Sequence, residues 1–434
     1  MVSGVVLDLY QEESFAHYRA GKNVGIFSPA GCGKSVVLRA IINDAVACHG
    51  QDAVGVLSWY GAAADLVGGQ TVHSFFLCST HLSSPKQMLS ETLQRPALVA
   101  KLRKIRVLAI DEIFTLSAAW FRVFLRIIRG VSSSDMQMQP AGGVQVIVAG
   151  DPMQTLPVDL SSRPSDAVVF SSLTWRSLFL SWRGSMGILR GNHRQAADQQ
   201  YAATLERLRL VRHEPADIHA INDTWNNFTD EQRLKMPQLR ALNTSVDTYN
   251  NEQMQLLPGE AMAFDAADRA MGVTDEDNAK AREQLRRLGP SRLLIKEQAP
   301  VIATRRLSKT VPTGTVGVVL ALTASGCMCS FKGERITLQR KEWVVYNDSG
   351  RVFGQRLHLP VLLAWAVTIH RAQGSELDSV CIDLTKDQWA CDGLVYTALS
   401  RVRSFGSLCV PGLNDRLIKT NVACMAFWCG LCDR

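Results

Sequence analysis

Two short stretches of this chain carry the residue types that triphosphate chemistry needs. Residues 28–35 read SPAGCGKS, after an apolar segment and before a run with helical character. Gly31 and Gly33 let backbone N–H groups turn inward around phosphate oxygens, and a helix N-terminus adds the positive end of its dipole. Lys34 is a point charge able to reach the outer phosphates, and the Ser35 hydroxyl is a ligand for Mg2+. Residues 107–112 read VLAIDE, an apolar strand ending in two carboxylates. At the carboxyl edge of a parallel sheet Asp111 can hold the metal, directly or through water, and Glu112 can polarise an attacking water. No NKxD guanine-reading element occurs, so ATP is favoured over GTP.

The elements that must position these residues are legible as alternating strands and helices. Residues 23–27, 54–59, 105–110 and 144–149 read as buried strands, with helices over 34–48 and 117–129. That alternation predicts an α/β fold with a parallel sheet covered on both faces. The pattern restarts with strands at 239–242, 300–303 and 380–384. Between them, short strands at 315–322, 327–331, 334–338 and 341–346, separated by SG, KG and NDSG turns, predict a small inserted antiparallel barrel. Residues 265–287 are charged and polar and read as a solvated helix and loop.

Composition bounds the function without choosing it. The 434 residues are 47% apolar and 20% charged, which is ordinary globular composition. Forty-seven basic against 40 acidic side chains give a net charge of +7, which permits a polyanionic partner. No apolar run approaches the ~20 residues of a membrane helix, and the acidic N-terminal stretch has neither signal nor transit character. A soluble, intracellular protein is expected, nuclear if the host cell is eukaryotic. Eleven scattered cysteines read as reduced thiols. Cys424, Cys429 and Cys432 contain one CxxC but lack a fourth zinc ligand nearby. Cys32, inside the phosphate loop, is either a reactive thiol drawn toward thiolate by Lys34 and the helix N-terminus, or a small buried side chain.

Further stretches extend the pattern: VIVAGDPMQTLPV at 146–158, LRGNHRQ at 189–195, WAVTIHRAQG at 365–374, LDSVCIDL at 377–384 and YTALSRVRS at 396–404. With the phosphate loop, VLAIDE, Gln11 and GAAADLVGGQTVHSF at 61–75, this ordered set resembles the PIF/RecD-type DNA helicases of superfamily 1, the branch that moves 5′ to 3′. The resemblance implies two RecA-like P-loop NTPase domains, at 1–186 and 187–434, the second carrying the small β-barrel at about 309–358. It implies ATP and Mg2+ between the domains, in a helicase of DNA replication, repair or recombination. Gln11 would read the adenine, and Ser28, Pro29, Ala30, Gly31, Cys32, Gly33, Lys34 and Ser35 would hold the phosphates. Ser35 and Asp111 would hold Mg2+, Glu112 would be the base, and Gln154 would contact the γ-phosphate or the attacking water. Arg194 and Arg401 would reach across from the second domain as arginine fingers, while Gln373 and Gly374 would couple nucleotide to nucleic acid. Thr71, His73, Ser74, Phe75, Thr368 and His370 fall in stretches that line single-stranded DNA in this family; Phe75 and the two histidines equally fit a packed core.

The partners implied are single-stranded DNA and tailed or forked duplex, bound by a monomer, with no membrane. An RNA helicase and a nucleic-acid-stimulated ATPase of the same superfamily share these motifs; a scaffold with a degenerate site is opposed by the intact set. Three departures stand out: Ser28 in place of the usual first glycine, Cys32 in place of the usual threonine, and a single proline in QTLPV. The chain opens almost at Gln11, so a compact core without a regulatory N-terminal extension is expected.

Overall fold

The first sheet is built from short apolar strands buried along nearly their whole length, as a sheet covered on both faces requires. In the computed structural model, which describes residues 6–78, 85–157, 168–347 and 351–433, its strands are β1 (Asn23–Phe27), β2 (Val54–Ser58), β3 (Gln70–Thr71), β4 (Val107–Asp111), β5 (Gln145–Gly150) and β6 (Gly184–Ile188). The order is β3-β2-β4-β5-β1-β6 and every pairing is parallel. The phosphate loop leaves β1 and Asp111 closes β4, so both reach the same carboxyl edge, where an open α/β sheet binds its ligands. The domain boundary expected at residue 186 falls inside β6, which is paired residue by residue with β1. Its sequence, GSMGI, lacks the apolar run that marks the other strands.

A second parallel sheet is assembled from distant pieces. The chain lays down β7 (Gln238–Arg240), then leaves through β8 (Met262–Asp265), β9 (Ala267–Ala270), β10 (Arg292–Ile295), β11 (Pro300–Ala303), β12 (Val316–Thr323), β13 (Gly326–Phe331), β14 (Glu334–Gln339), β15 (Lys341–Tyr346), β16 (Val352–His358) and β17 (Val361–Leu363). It returns with β18 (Ala366–Thr368), β19 (Val380–Cys381) and β20 (Leu408–Cys409), giving the order β18-β7-β19-β20.

The excursion is antiparallel, but its hydrogen-bond ladders form open sheets, not a closed barrel, among the described residues. One has the order β14-β13-β12-β11-β17, another β15-β16-β9, and β10 pairs with β8 alone. The chain crosses between the two larger sheets at Arg340, which separates β14 from β15. Residues 348–350 of the expected NDSG turn lie outside the described residues. The stretch 265–287 contributes β9 and a helix, Asp275–Arg287, capped by a Thr274–Asp277 capping box. Buried Arg356 on β16 holds Asp268 of β9 by two hydrogen bonds of 2.6 and 2.7 Å, which locks that pairing.

The C-terminal helix, Val422–Cys432, returns to the first sheet. Phe427 stacks on Phe170 at 4.3 Å and lies 5.5–6.0 Å from Phe27, Phe114 and Trp175. No helix of the described residues is long and apolar enough to cross a membrane. If this ring fastens the helix, Phe427→Ala should destabilise the protein by about 2 kcal/mol, below the usual cost for a fully buried Phe because the ring is only half buried. Urea unfolding checks the loss, and limited proteolysis should cut the variant's C-terminal helix faster; equal curves and equal cutting would contradict the docking.

Candidate nucleotide site between two parallel sheets

The phosphate loop has the backbone its sequence calls for. Gly31 and Gly33 sit at φ +84° and +80°, in the left-handed region that glycine adopts without strain. A Cβ on Gly33 would lie 2.4 Å from Gln11 Nε2, and one on Gly31 would lie 2.8 Å from both Arg194 Cβ and Asn192 Oδ1. Gln11, Asn192 and Arg194 therefore crowd the loop as its sequence neighbours do not. Gln11 is also N3 of the capping box that starts the helix Leu9–Arg19 with Asp8. Lys34 Nζ donates to Ser28 O and Pro29 O at 2.8 Å and to Ser28 Oγ at 3.2 Å. Serine thus fits the departed glycine position: its φ is not positive, and its buried hydroxyl gives the lysine another partner.

Asp111 and Glu112 differ sharply. Burial, reinforced by the Glu112 charge, pushes the Asp111 carboxyl up to about 7. Glu112 is half buried and sits at φ +51°, a strained conformation for a non-glycine residue that costs roughly 1–3 kcal/mol and concentrates at functional sites. Its Oε2 accepts from Gln373 Nε2 at 3.3 Å, and Gln373 Oε1 accepts from Thr155 Oγ1 at 2.7 Å. Gln373 is 1% exposed and Thr155 is buried, so this bridge between the two sheets is buried at its centre and opens only at Glu112.

Asp151, which follows β5 as Glu112 follows β4, was not singled out from the sequence. Burial opposes its charge, but Arg209 and Lys34 outweigh burial and hold the carboxyl below its ordinary value. Arg209 Nη2 donates to it at 2.9 Å, and Trp428 covers that guanidinium at 4.0 Å. Gln154 Nε2 reaches Asp151 at 3.4 Å, and Gln154 Oε1 receives Arg401 Nη2 at 3.5 Å. Arg401 is fully buried; desolvation, then the nearby Arg194, lowers its pKa to about 10, so it stays charged at neutral pH.

Arg194 does not arrive from the far side as expected. Its segment directly follows β6, and the N–H groups of His193 and Arg194 both bond to Gly31 O. The side chain points the other way, to Ser400 O at 2.8 Å and Glu376 at 3.2 Å. Cys32 is also resolved by its surroundings: it is 3% exposed, and burial raises its pKa despite Lys34. The reactive-thiolate expectation is therefore overturned.

The stretches expected to line single-stranded DNA, 61–75 and 365–374, face each other across the sheets. Tyr60 and His370 lie 5.8 Å apart, and a Cβ on Gly374 would sit 3.2 Å from Leu66 and 3.7 Å from Ala63. Thr71 and Ser74 pair at 3.0 Å, with Ser74 exposed, whereas Thr368 is buried at the end of β18. Phe75 is a core ring, 2% exposed, so no base can stack on it in this conformation. His73 packs edge-on against Trp59 and Trp120, and desolvation lowers its pKa to about 4.

The donor set suits Mg2+, which takes few protein oxygens and keeps waters and phosphate oxygens for the rest. Asp111 and Ser35 supply such oxygens, while no group of three or more His, Cys, Asp or Glu able to hold a metal occurs among the described residues.

Residues 9–210 match the PIF1-like helicase family. The chain is 28% identical over 438 residues to the ATP-dependent DNA helicase PIF6 of Trypanosoma brucei brucei, covering 94% of this chain and 53% of that one. Human ATP-dependent DNA helicase PIF1 is 27% identical over 440 residues, covering 97% of this chain and 63% of that one. The chain thus spans little more than half the length of these relatives. The crystal structure of Pif1 helicase from Candida albicans superposes with a TM-score of 0.87 at 23% identity, over 98% of this chain and all of that one. A Bacteroides Pif1 helicase in complex with ADP-AlF3 and single-stranded DNA gives 0.75 at 20% identity, over 99% and 98% of the two chains.

Iodoacetamide at neutral pH should label exposed Cys48, Cys391 and Cys432 and spare Cys32. Peptide mapping checks this, and labelling of Cys32 as fast as the exposed thiols would contradict its burial.

Proposed function

We propose that this chain is a PIF1-type member of helicase superfamily 1, the motor of an ATP-dependent DNA helicase that moves 5′ to 3′ on single-stranded DNA and opens tailed or forked duplex. The observation that carries the reading is the bridge Glu112–Gln373–Thr155, buried at Gln373. It ties the carboxylate placed to polarise water to the segment that runs from Thr368 and His370 to Gly374, opposite Tyr60 and Ala63.

In this reading the chain divides after Ile188, and ATP lies against the phosphate loop with Gln11 over Gly33. Lys34 exchanges its loop carbonyls for phosphate oxygens, and the N–H groups of 31–35 line the same cradle. Ser35 and Asp111 would hold Mg2+, which when bound neutralises charge on the phosphate oxygens. Glu112 orients and deprotonates the water, with Gln373 fixing its carboxylate. Gln154 and Arg401, already in contact, meet the γ-phosphate side, and Arg194, whose guanidinium rests on Ser400 O and Glu376, swings in as a second guanidinium when nucleotide binds. Charge developing in the transition state makes these guanidinium groups worth ~10³–10⁵ in rate in related NTPases. Strand contact near His370 and Gly374 shifts Gln373, and the chemistry answers to the track. The motor works as a monomer, with replication, repair or recombination intermediates as substrates, in the nucleus if the host is eukaryotic.

Hydrolysis measured without polymer, with single-stranded DNA and with RNA tests the substrate class: DNA should stimulate most, and equal or greater stimulation by RNA would move the chain to the RNA helicases. Lys34→Ala should lower DNA-stimulated turnover more than about tenfold, since losing one such charge commonly costs ~10²–10³. Unwinding should require a 5′ tail; equal opening of 3′-tailed duplex would refute the polarity. Arg401→Ala and Arg194→Ala should lower kcat while KM for ATP changes little, because both act on charge that develops during reaction.

A further inference from the structure

The helix Leu394–Leu399 meets the carboxyl edge of the first sheet through two consecutive side chains. Tyr396 Oη accepts from the N–H of Ala30, in the phosphate loop, at 3.0 Å and donates to Asp151 Oδ2 at 3.0 Å. Thr397 Oγ1 accepts from the N–H of Thr155 at 3.2 Å. The same helix sets Arg401, whose Nε donates to Thr397 O at 2.8 Å. Tyr396 is 6% exposed, and burial holds its phenol protonated, so one hydroxyl serves as acceptor and donor at once. Its far end cannot drift, because Asp151 is gripped by Arg209 at 2.9 and 3.2 Å under Trp428.

We propose that Tyr396 is a positioning residue: its hydroxyl fixes the height of the phosphate loop against the helix that leads into Arg401, so that loop and guanidinium meet in register. The inference rests on the proposed ATPase function and deepens it. Ala30 N–H is a buried backbone donor, and losing the partner of such a group either costs stability or moves the loop until another partner is found. A moved loop carries bound phosphate with it, away from Arg401 on the opposite side.

Tyr396→Phe removes one oxygen and keeps the ring. DNA-stimulated kcat should fall about ten- to a hundredfold, the scale on which small misplacements of reacting groups act, with KM for ATP within about twofold. Rates are taken per nucleotide-binding site, so misfolded chain is not counted. Because Tyr396 acts through Arg401, the double variant Tyr396→Phe/Arg401→Ala should be no slower than Arg401→Ala alone. Thr204→Val, which loses a buried hydrogen bond to Asp217 and no hydrogen bond to the phosphate loop, Asp151 or the Tyr396 helix, controls for stability and should keep wild-type kcat. Losses that multiply in the double variant, or a fall shared with Thr204→Val, would overturn the positioning role. A fully active Tyr396→Phe beside an active wild type overturns this inference alone; a wild type without ATPase activity overturns the function and this inference together.

Discussion

A charged carboxylate with no exposure is the constraint on which the rest of the structure depends. Asp151 can remain ionised there only while its partners stay in place: Gln154 and the Met153 N–H lie beside it in sequence, but Arg209 and Tyr396 come from far along the chain. A buried pair of this kind adds little net stability, but breaking it leaves an uncompensated charge and costs about 3–5 kcal/mol. The first sheet, the helix bearing Tyr396 and the C-terminal helix bearing Trp428 are therefore held to one arrangement around a single oxygen pair. The Glu112–Gln373–Thr155 bridge lies on the same edge and inherits that arrangement.

Much of this was legible in the sequence where one local rule decided the outcome. The strands at 23–27, 54–59, 105–110 and 144–149 fall within two residues of those observed, because a strand buried on both faces needs an apolar run. The phosphate loop, Asp111 and Glu112 sit at one edge because a polar residue ending such a run has nowhere else to go. The antiparallel strands from 315 to 346 were visible through their turns, but the barrel expected from them is not closed among the described residues, since closure depends on pairing between strands far apart.

What stayed hidden shares one cause: the deciding partner is distant in sequence. β6 has two glycines in GSMGI and is a strand only because β1 lies beside it. Arg209 reads as any arginine in a last helical turn until Asp151 is placed next to it. Phe75 carries no mark separating a stacking platform from a core ring; Phe76 and Lys101, packed on it, decide for the core. Cys32 is pulled two ways: Lys34 favours the thiolate, and burial, the larger influence, favours the thiol. Both departures in the phosphate loop are accommodated locally, Ser28 by bonding Lys34 and Cys32 by filling a buried space.

In the proposed motor, nucleic acid reaches the chemistry through Gln373. The most direct test is the ATPase rate of Gln373→Ala measured with and without saturating single-stranded DNA. The basal rate should fall only modestly, because Lys34, Asp111 and Glu112 remain and Glu112 loses one amide partner, while stimulation by DNA should be lost. Full stimulation in the variant would contradict this route, as would an equal fall in the basal and stimulated rates.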